Sequence, residues 1–206
     1  MESEVKKEIK STNAYCIVGI GTAGANAVNN MIASKLEGVD FIVADTDAKT
    51  QGHALTDKTI LLGEALTGGA GTKGNVETGA AAARGSIQNM LRQIEPFSTV
   101  IFIAGLGGGT GTGALPVFAS EAVEEGKKVF CIVTLPFAFE GKAKKQAAEK
   151  AMEEMRAENL SVIILDNQKL CDDANGKGDF AATFKKADDA ILSCVKEIIT
   201  PKLHDA

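Results

Sequence analysis

A chain of 206 residues, 45% hydrophobic and 24% charged, is long enough to bury a substantial core as one large domain. Its net charge of −5 provides no general attraction to nucleic acid or to an anionic membrane, and no apolar run reaches the length of a membrane span. The opening residues have no secretory h-region, so the expected compartment is the cytoplasm.

Four cysteines, Cys16, Cys131, Cys171 and Cys194, are scattered without a C-x-x-C pair. Cys16 and Cys131 fall inside apolar runs and are expected to be buried, reduced thiols. Two histidines, His53 and His204, weigh against a histidine metal centre or a Ser-His-Asp triad. Residues 172–176 faintly suggest a calcium loop. Ala182 stands where its closing glutamate belongs, so a polar surface loop is expected.

In chain order, residues 1–13 form a polar extension with Val5 and Ile9 at helical spacing. The first strand, Tyr15–Ile20, runs into a G-x-G-x-x-G loop of Gly19, Gly21 and Gly24. Val28, Met31, Ile32 and Leu36 then recur at helical period, with Gly38 as the expected stop. A second strand over 41–44 leads into Asp45, Thr46 and Asp47. An acidic residue at the end of the second strand is where a dinucleotide fold holds a ribose, so NAD binding is one open reading.

A third apolar run covers 59–62. A second glycine loop, 68–75, precedes a helix over 77–92. A strand at 100–104 enters the densest glycine run, Gly105, Gly107, Gly108, Gly109, Gly111 and Gly113, with Thr110 and Thr112 as its hydroxyls. The helix expected after it spans 114–125, with Pro116 in its first turn, where a missing N–H costs nothing. Strand, bare loop and helix N-terminus together suit a phosphate: backbone N–H groups converge and the helix dipole adds its positive end.

A strand over 129–134 leads to Pro136 and Glu140. The helix at 142–158 carries an apolar stripe of Ala147, Ala148, Ala151, Met152 and Met155, with Lys142, Lys144, Lys145 and Lys150 on a solvated face. After a strand at 161–165, the last helix aligns Phe180, Phe184, Ala187, Ile191, Cys194, Val195 and Ile198, ending at Thr200 and Pro201.

The strands read as continuous apolar runs alternating with helices. That predicts an α/β fold with a doubly wound, mostly parallel sheet, helices on both faces, and one domain over 14–206. Ligands bind such sheets beyond the carboxyl ends of the strands, and every polar or glycine-rich loop named above follows a strand. No G-x-x-x-x-G-K-[ST] occurs in the sequence, which removes the P-loop reading. Three glycine loops exceed what one NAD pyrophosphate needs and suit a triphosphate wrapped by backbone amides.

The run from Gly107 to Gly113 (GGGTGTG) resembles the signature of the tubulin/FtsZ GTPase family. Residues 21–26 are similar to that family's first phosphate loop, Asp45 to Asp47 to its Asn-Thr-Asp, and 69–79 to its third loop. Residues 134–141 are similar to its Thr-Lys-Pro-Phe-x-Phe-Glu-Gly segment. The resemblance implies a Rossmann-like GTPase domain binding GTP or GDP, with Mg²⁺ following from triphosphate charge.

It implies that Gly21, Thr22, Ala23, Gly24, Ala25 and Asn26 border the nucleotide together with Asp45, Thr46 and Pro136. It puts Gly71, Thr72, Lys73, Gly74 and Asn75 beside the phosphates, with Gly107, Gly108, Gly109, Thr110, Gly111, Thr112 and Gly113 around them. Glu140 would take the ribose, and Lys144 stands where the family has an arginine. Asn167 falls on the family's Pro-Asn-Asp-Lys-Leu asparagine, and Phe184 would stack on the base. Asp189 would accept from guanine N1–H and the 2-amino group, with its division of labour with Asp188 left open.

The family's acidic loop, Asn-x-Asp-x-x-Asp, and its second domain have no counterpart in these residues; Asp205 is the only candidate acid. The resemblance therefore implies weak hydrolysis alone, with catalytic acids coming from a partner. Partners implied are guanine nucleotide and a longer FtsZ-type polymer, or the chain itself, joined longitudinally at the nucleotide face; neither nucleic acid nor membrane is expected. A filament-capping module is the alternative, and an NAD oxidoreductase the remote one.

Overall fold

The computed structural model describes residues 14–172 and 180–200. The expected extension 1–13, the loop at 173–179, and Pro201, His204 and Asp205 lie outside them. Among the described residues six strands, β1 (Tyr15–Ile20), β2 (Val39–Asp45), β3 (Thr59–Leu61), β4 (Thr99–Gly105), β5 (Lys128–Leu135) and β6 (Val162–Asp166), form one sheet in the order β3-β2-β1-β4-β5-β6. Every pairing is parallel. This is the doubly wound arrangement expected from the alternating pattern. Strand order reverses between β1 and β4, and a crevice opens at such a switch point. Ile20 pairs with both Ala44 and Ala104, so the loops after β1, β2 and β4 leave the sheet at one level.

The helices are α1 (Gly21–Ala33), α2 (Ala48–Gly52), α3 (Glu64–Thr67), α4 (Val76–Ile94), α5 (Thr110–Glu124), α6 (Lys142–Ala157), α7 (Asn167–Asp172) and α8 (Phe180–Ile199). Successive strand side chains point to opposite faces, which divides the core in two. Cys16, Val18 and Ile20 pack with Phe102 and Val133 against Ala83 and Met90 of α4 and Leu115 and Phe118 of α5. Ile17, Val43, Ile101 and Ile132 pack on the other face against Val28 and Met31 of α1 and Ile191 and Val195 of α8.

Several boundaries differ from expectation. The helix expected at 114 begins at Thr110, so Pro116 lies within α5 rather than in its first turn. Gly111 and Gly113, which read as loop, are helical and small for close approach. A Cβ on Gly111 would lie 2.6 Å from the Gly105 carbonyl oxygen, and one on Gly113 would strike the Val76 carbonyl of α4. Helix α1 likewise begins at Gly21, inside the G-x-G-x-x-G motif. It ends at Ala33, with Lys35 in the left-handed region (φ 55°), so Gly38 (φ 80°) turns the chain into β2 rather than stopping the helix. Asn167, given no element by the sequence, opens α7, where Asp166 Oδ1 accepts from the Gln168 N–H at 3.0 Å.

Cys16 and Cys131 are buried free thiols. Burial pushes the Cys131 thiol up to about 12 and the Cys16 thiol higher still, with Asp40 adding to the latter. Among the described residues no helix is long and apolar enough to cross a membrane.

Candidate functional site

Helix α1 starts directly from the end of β1, and α5 starts after a four-residue turn from the end of β4, both at the switch point. Their N-caps, Ile20 and Gly109, provide no side-chain hydrogen bond, and neither first turn contains a carboxylate. The backbone N–H groups of both first turns therefore face outward with the positive ends of two dipoles behind them. Two other helices at this edge differ. Asp47 Oδ1 accepts from the Lys49 N–H at 2.9 Å at the start of α2, and Asn75 Oδ1 accepts from the Thr78 N–H at 2.8 Å at the start of α4. The pair flanking the crevice has no such cap and stays open to an outside anion.

A cavity of about 640 Å³ occupies that place. Its glycine-walled part is lined by Gly21, Thr22, Ala23, Gly108, Gly109, Thr110 and Gly111, and by the loop of Gly71, Thr72, Lys73 and Gly74. This loop is docked on the cradle: a Cβ on Gly109 would collide with Thr72 Oγ1 and come within 2.8 Å of the Asn75 carbonyl oxygen. Gly107 is turned at φ +99°, and its N–H donates to Thr112 Oγ1 at 2.8 Å, which ties the strand end to the first turn of α5. The Thr46 and Thr110 hydroxyls, 2.7 Å apart, link the β2 loop to α5. Asp45, 2% exposed, sits at the floor, where Oδ1 accepts from the Thr46 N–H at 2.7 Å and Oδ2 from the Thr22 hydroxyl at 3.5 Å. Both oxygens of that carboxylate already accept hydrogen bonds from its own loops.

The opposite part of the cavity is aromatic and acidic. Phe184, 52% exposed, meets Phe137 edge to face with ring centroids 5.4 Å apart, and Phe137 stacks on Phe139 at 5.1 Å. Asp188 lies one turn beyond Phe184 on α8 and also lines the cavity. Burial, and secondarily the Asp189 charge, push its carboxyl up to about 6. Asn167 Oδ1 is buried without a hydrogen-bond partner, an arrangement that costs about 1–3 kcal/mol unless a ligand fills it. Between the two parts, Glu140 Oε1 accepts from the Phe137 N–H at 2.9 Å and Oε2 pairs with Lys144 Nζ at 2.8 Å. Pro136 and Asn26 complete the lining.

Eight residues expected at the ligand do not line the cavity. Gly24 is where α1 crosses the sheet: its Cβ would strike the Ile103 carbonyl. Ala25 is buried in the core, Thr46 and Thr112 hold loops together, and Asn75 caps α4. Gly107 and Gly113 provide a turn and a helix contact, and Asp189 is exposed outside the cavity. Conversely, Asp47, Ala70, Gly105, Leu106, Thr134, Leu135, Ala187 and Ile191 line it without having been singled out as ligand contacts. Ala187 and Ile191 belong to the same α8 stripe as Phe184, which was the available signal.

The GTPase-domain model of the tubulin/FtsZ family matches residues 14–175. The chain belongs to the tubulin/FtsZ family. It is 43% identical over 182 residues to the cell division protein FtsZ of Magnetospirillum gryphiswaldense, covering 88% of this chain and 32% of that protein. It is 40% identical over 186 residues to FtsZ 2 of Rhizobium meliloti, covering 89% and 54%. The chain thus spans a third to just over half the length of these curated relatives. Among solved structures, an empty FtsZ dimer from M. jannaschii superposes with a TM-score of 0.86 at 31% identity, covering 96% of this chain and 57% of that one. A GTPγS-bound CetZ2 protofilament from Haloferax volcanii (TM-score 0.80, 20% identity, covering 91% and 60%) shares the fold. The six-stranded parallel sheet and its flanking helices are the family's GTPase fold.

Proposed function

We propose that the chain binds GTP and GDP in the cavity between α1, α5 and α8 and is a slow GTPase when alone. The observation that carries the reading is the pair of uncapped, carboxylate-free helix N-termini facing one cavity whose other end holds Phe184, Asp188 and the unpaired Asn167. Phosphates lie on the amide groups of residues 108–111 and 21–23. The base stacks on Phe184, and the ionised Asp188, rather than Asp189, accepts from guanine N1–H and the 2-amino group. Glu140 and Lys144 meet the ribose side. Lys144 provides charge there without the planar fork of an arginine.

Mg²⁺ fits as an ion carried by the phosphates: the carboxylates nearest the cradle are already engaged, and among the described residues no metal-holding cluster occurs. Bound there, it neutralises charge on the phosphates. The same engagement limits hydrolysis. Asp45 serves Thr46 and Thr22, Asp47 serves the α2 cap, and Glu140 is shared by Phe137 and Lys144. Engaged in this way, these three are poorly placed to act as a general base on water at a terminal phosphate.

Relatives solved as a dimer and as a protofilament support a longitudinal partner, a second copy or a longer FtsZ, whose acids complete the site and whose ends this face could cap. The reduced thiols fit the cytoplasm. Phosphate release by the purified chain is expected at about 10⁻³ s⁻¹ or slower, rising at least about tenfold when full-length FtsZ is added. Turnover near 1 s⁻¹ by the chain alone would contradict the account of the missing base.

A further inference from the structure

Lys73 is a long, β-carbon-bearing side chain in a place that favours glycine. Its φ is +52°, in the left-handed region, inside a loop whose neighbours Gly71 (φ +74°) and Gly74 (φ +82°) adopt that region freely. Such strain persists where the surrounding structure holds it, and it gathers at ligand clamps. Here the Asn75 N–H donates to the Thr72 carbonyl at 3.0 Å, and buried Thr72 packs on Gly109, so the loop is pinned to the glycine cradle on both sides of Lys73.

Two cationic side chains line the cavity among the described residues, Lys73 and Lys144. Lys144 is held by Glu140 at 2.8 Å. Lys73 forms no ion pair among the described residues, although Asp47 lines the same end. Lys73, exposed, therefore brings a cation without a described ion pair to the 71–74 side of the cradle, across the cavity from the aromatic and acidic subsite. A nucleotide with its base at Phe184 and Asp188 presents its last phosphate to that end.

On the nucleotide reading above, we propose that Lys73 is the residue by which this chain distinguishes nucleoside triphosphate from diphosphate. Its ammonium pairs with the terminal phosphate from outside the cradle, the charge that a P-loop lysine contributes from within its own loop. A diphosphate ends short of it and gains little. The left-handed backbone at Lys73 is the cost of keeping a charged side chain in this loop.

The test titrates the full chain with GTP and with GDP, in the wild type and in Lys73→Gly and Lys73→Gln. Both variants should lose about tenfold in GTP affinity, as expected for one charge-assisted contact, with GDP affinity changed less than about twofold. Lys73→Gly should also melt at a higher temperature than wild type, because glycine accepts the left-handed backbone without strain. That increase separates lost phosphate contact from a damaged fold. A GTP-to-GDP affinity ratio unchanged in both variants overturns the proposal while leaving nucleotide binding intact. Binding of neither nucleotide by the wild type overturns both readings.

Discussion

Asp188→Asn is expected to abolish guanine-nucleotide binding and, in the same molecule, to raise the melting temperature. The carboxyl of Asp188 is half-buried on α8 with Ala187 and Ile191 beside it in the cavity wall, and burial followed by the Asp189 charge lifts it from 3.8 to about 6. The folded state therefore holds this proton more tightly than the unfolded chain. The ionised group is a net cost at every pH above about 6, and that cost is relieved as pH falls from about 6 towards 4. After allowance for its exposure, the cost is about 1–2 kcal/mol. Asparagine removes it, which corresponds to roughly 2–6 °C for a chain of this size.

The same substitution replaces an acceptor of two guanine donors by a group that presents its own N–H. A buried polar mismatch of that kind is worth about 100-fold or more in affinity. In the wild type, GTP affinity should fall as pH drops through about 6, in step with protonation of Asp188. Calorimetric titration and thermal melting between pH 5 and 8 read both effects. A variant that binds GTP normally, or a flat pH profile, would remove Asp188 from the base site.

The second large effect separates two adjacent glycines of one motif. A Cβ on Gly109 collides with Thr72 Oγ1 and sits 2.8 Å from the Asn75 carbonyl oxygen, so Gly109→Ala must push the 71–75 loop off α5. Overpacking of this kind costs about 1–3 kcal/mol, and nucleotide binding is lost with the geometry. A Cβ on Gly108 meets nothing within 4 Å. Gly108→Ser should fold and melt like wild type, yet its side chain stands where phosphate approaches and lowers GTP affinity about 10- to 100-fold, on the order of one or two displaced hydrogen bonds. Thermal melts paired with GTP titrations distinguish them: Gly109→Ala fails both, Gly108→Ser only the second. Unchanged GTP affinity in Gly108→Ser would place the phosphates elsewhere.

The sheet was readable because its central strands are buried on both faces, and runs such as Val100 to Ala104 contain no polar residue. The three short helices were not. α2, α3 and α7 have five, four and six residues, too few for a helical period to emerge. The glycines were legible as a group and ambiguous singly. Gly108 faces open space, Gly107 holds a left-handed turn, and Gly113 lets α5 lie on α4, yet all three read alike in the sequence. Tertiary contact, rather than local pattern, assigns each its reason.

Asp188 and Asp189 illustrate the reverse case. Adjacent helical residues point about 100° apart, and only Asp188 shares the cavity face with Phe184 four residues earlier. The apolar stripe through Phe184, Ala187 and Ile191 carries that geometry, whereas the family resemblance pointed to Asp189 and left its division of labour with Asp188 open.

The central claim is that one cavity selects a guanine nucleotide. Titration of the chain with GTP, GDP, ATP and NAD under one set of conditions tests it most directly. The account predicts binding of GTP and GDP, at least about 100-fold weaker binding of ATP, and none of NAD. Equal affinity for ATP, or binding of NAD in place of the guanine nucleotides, would contradict it.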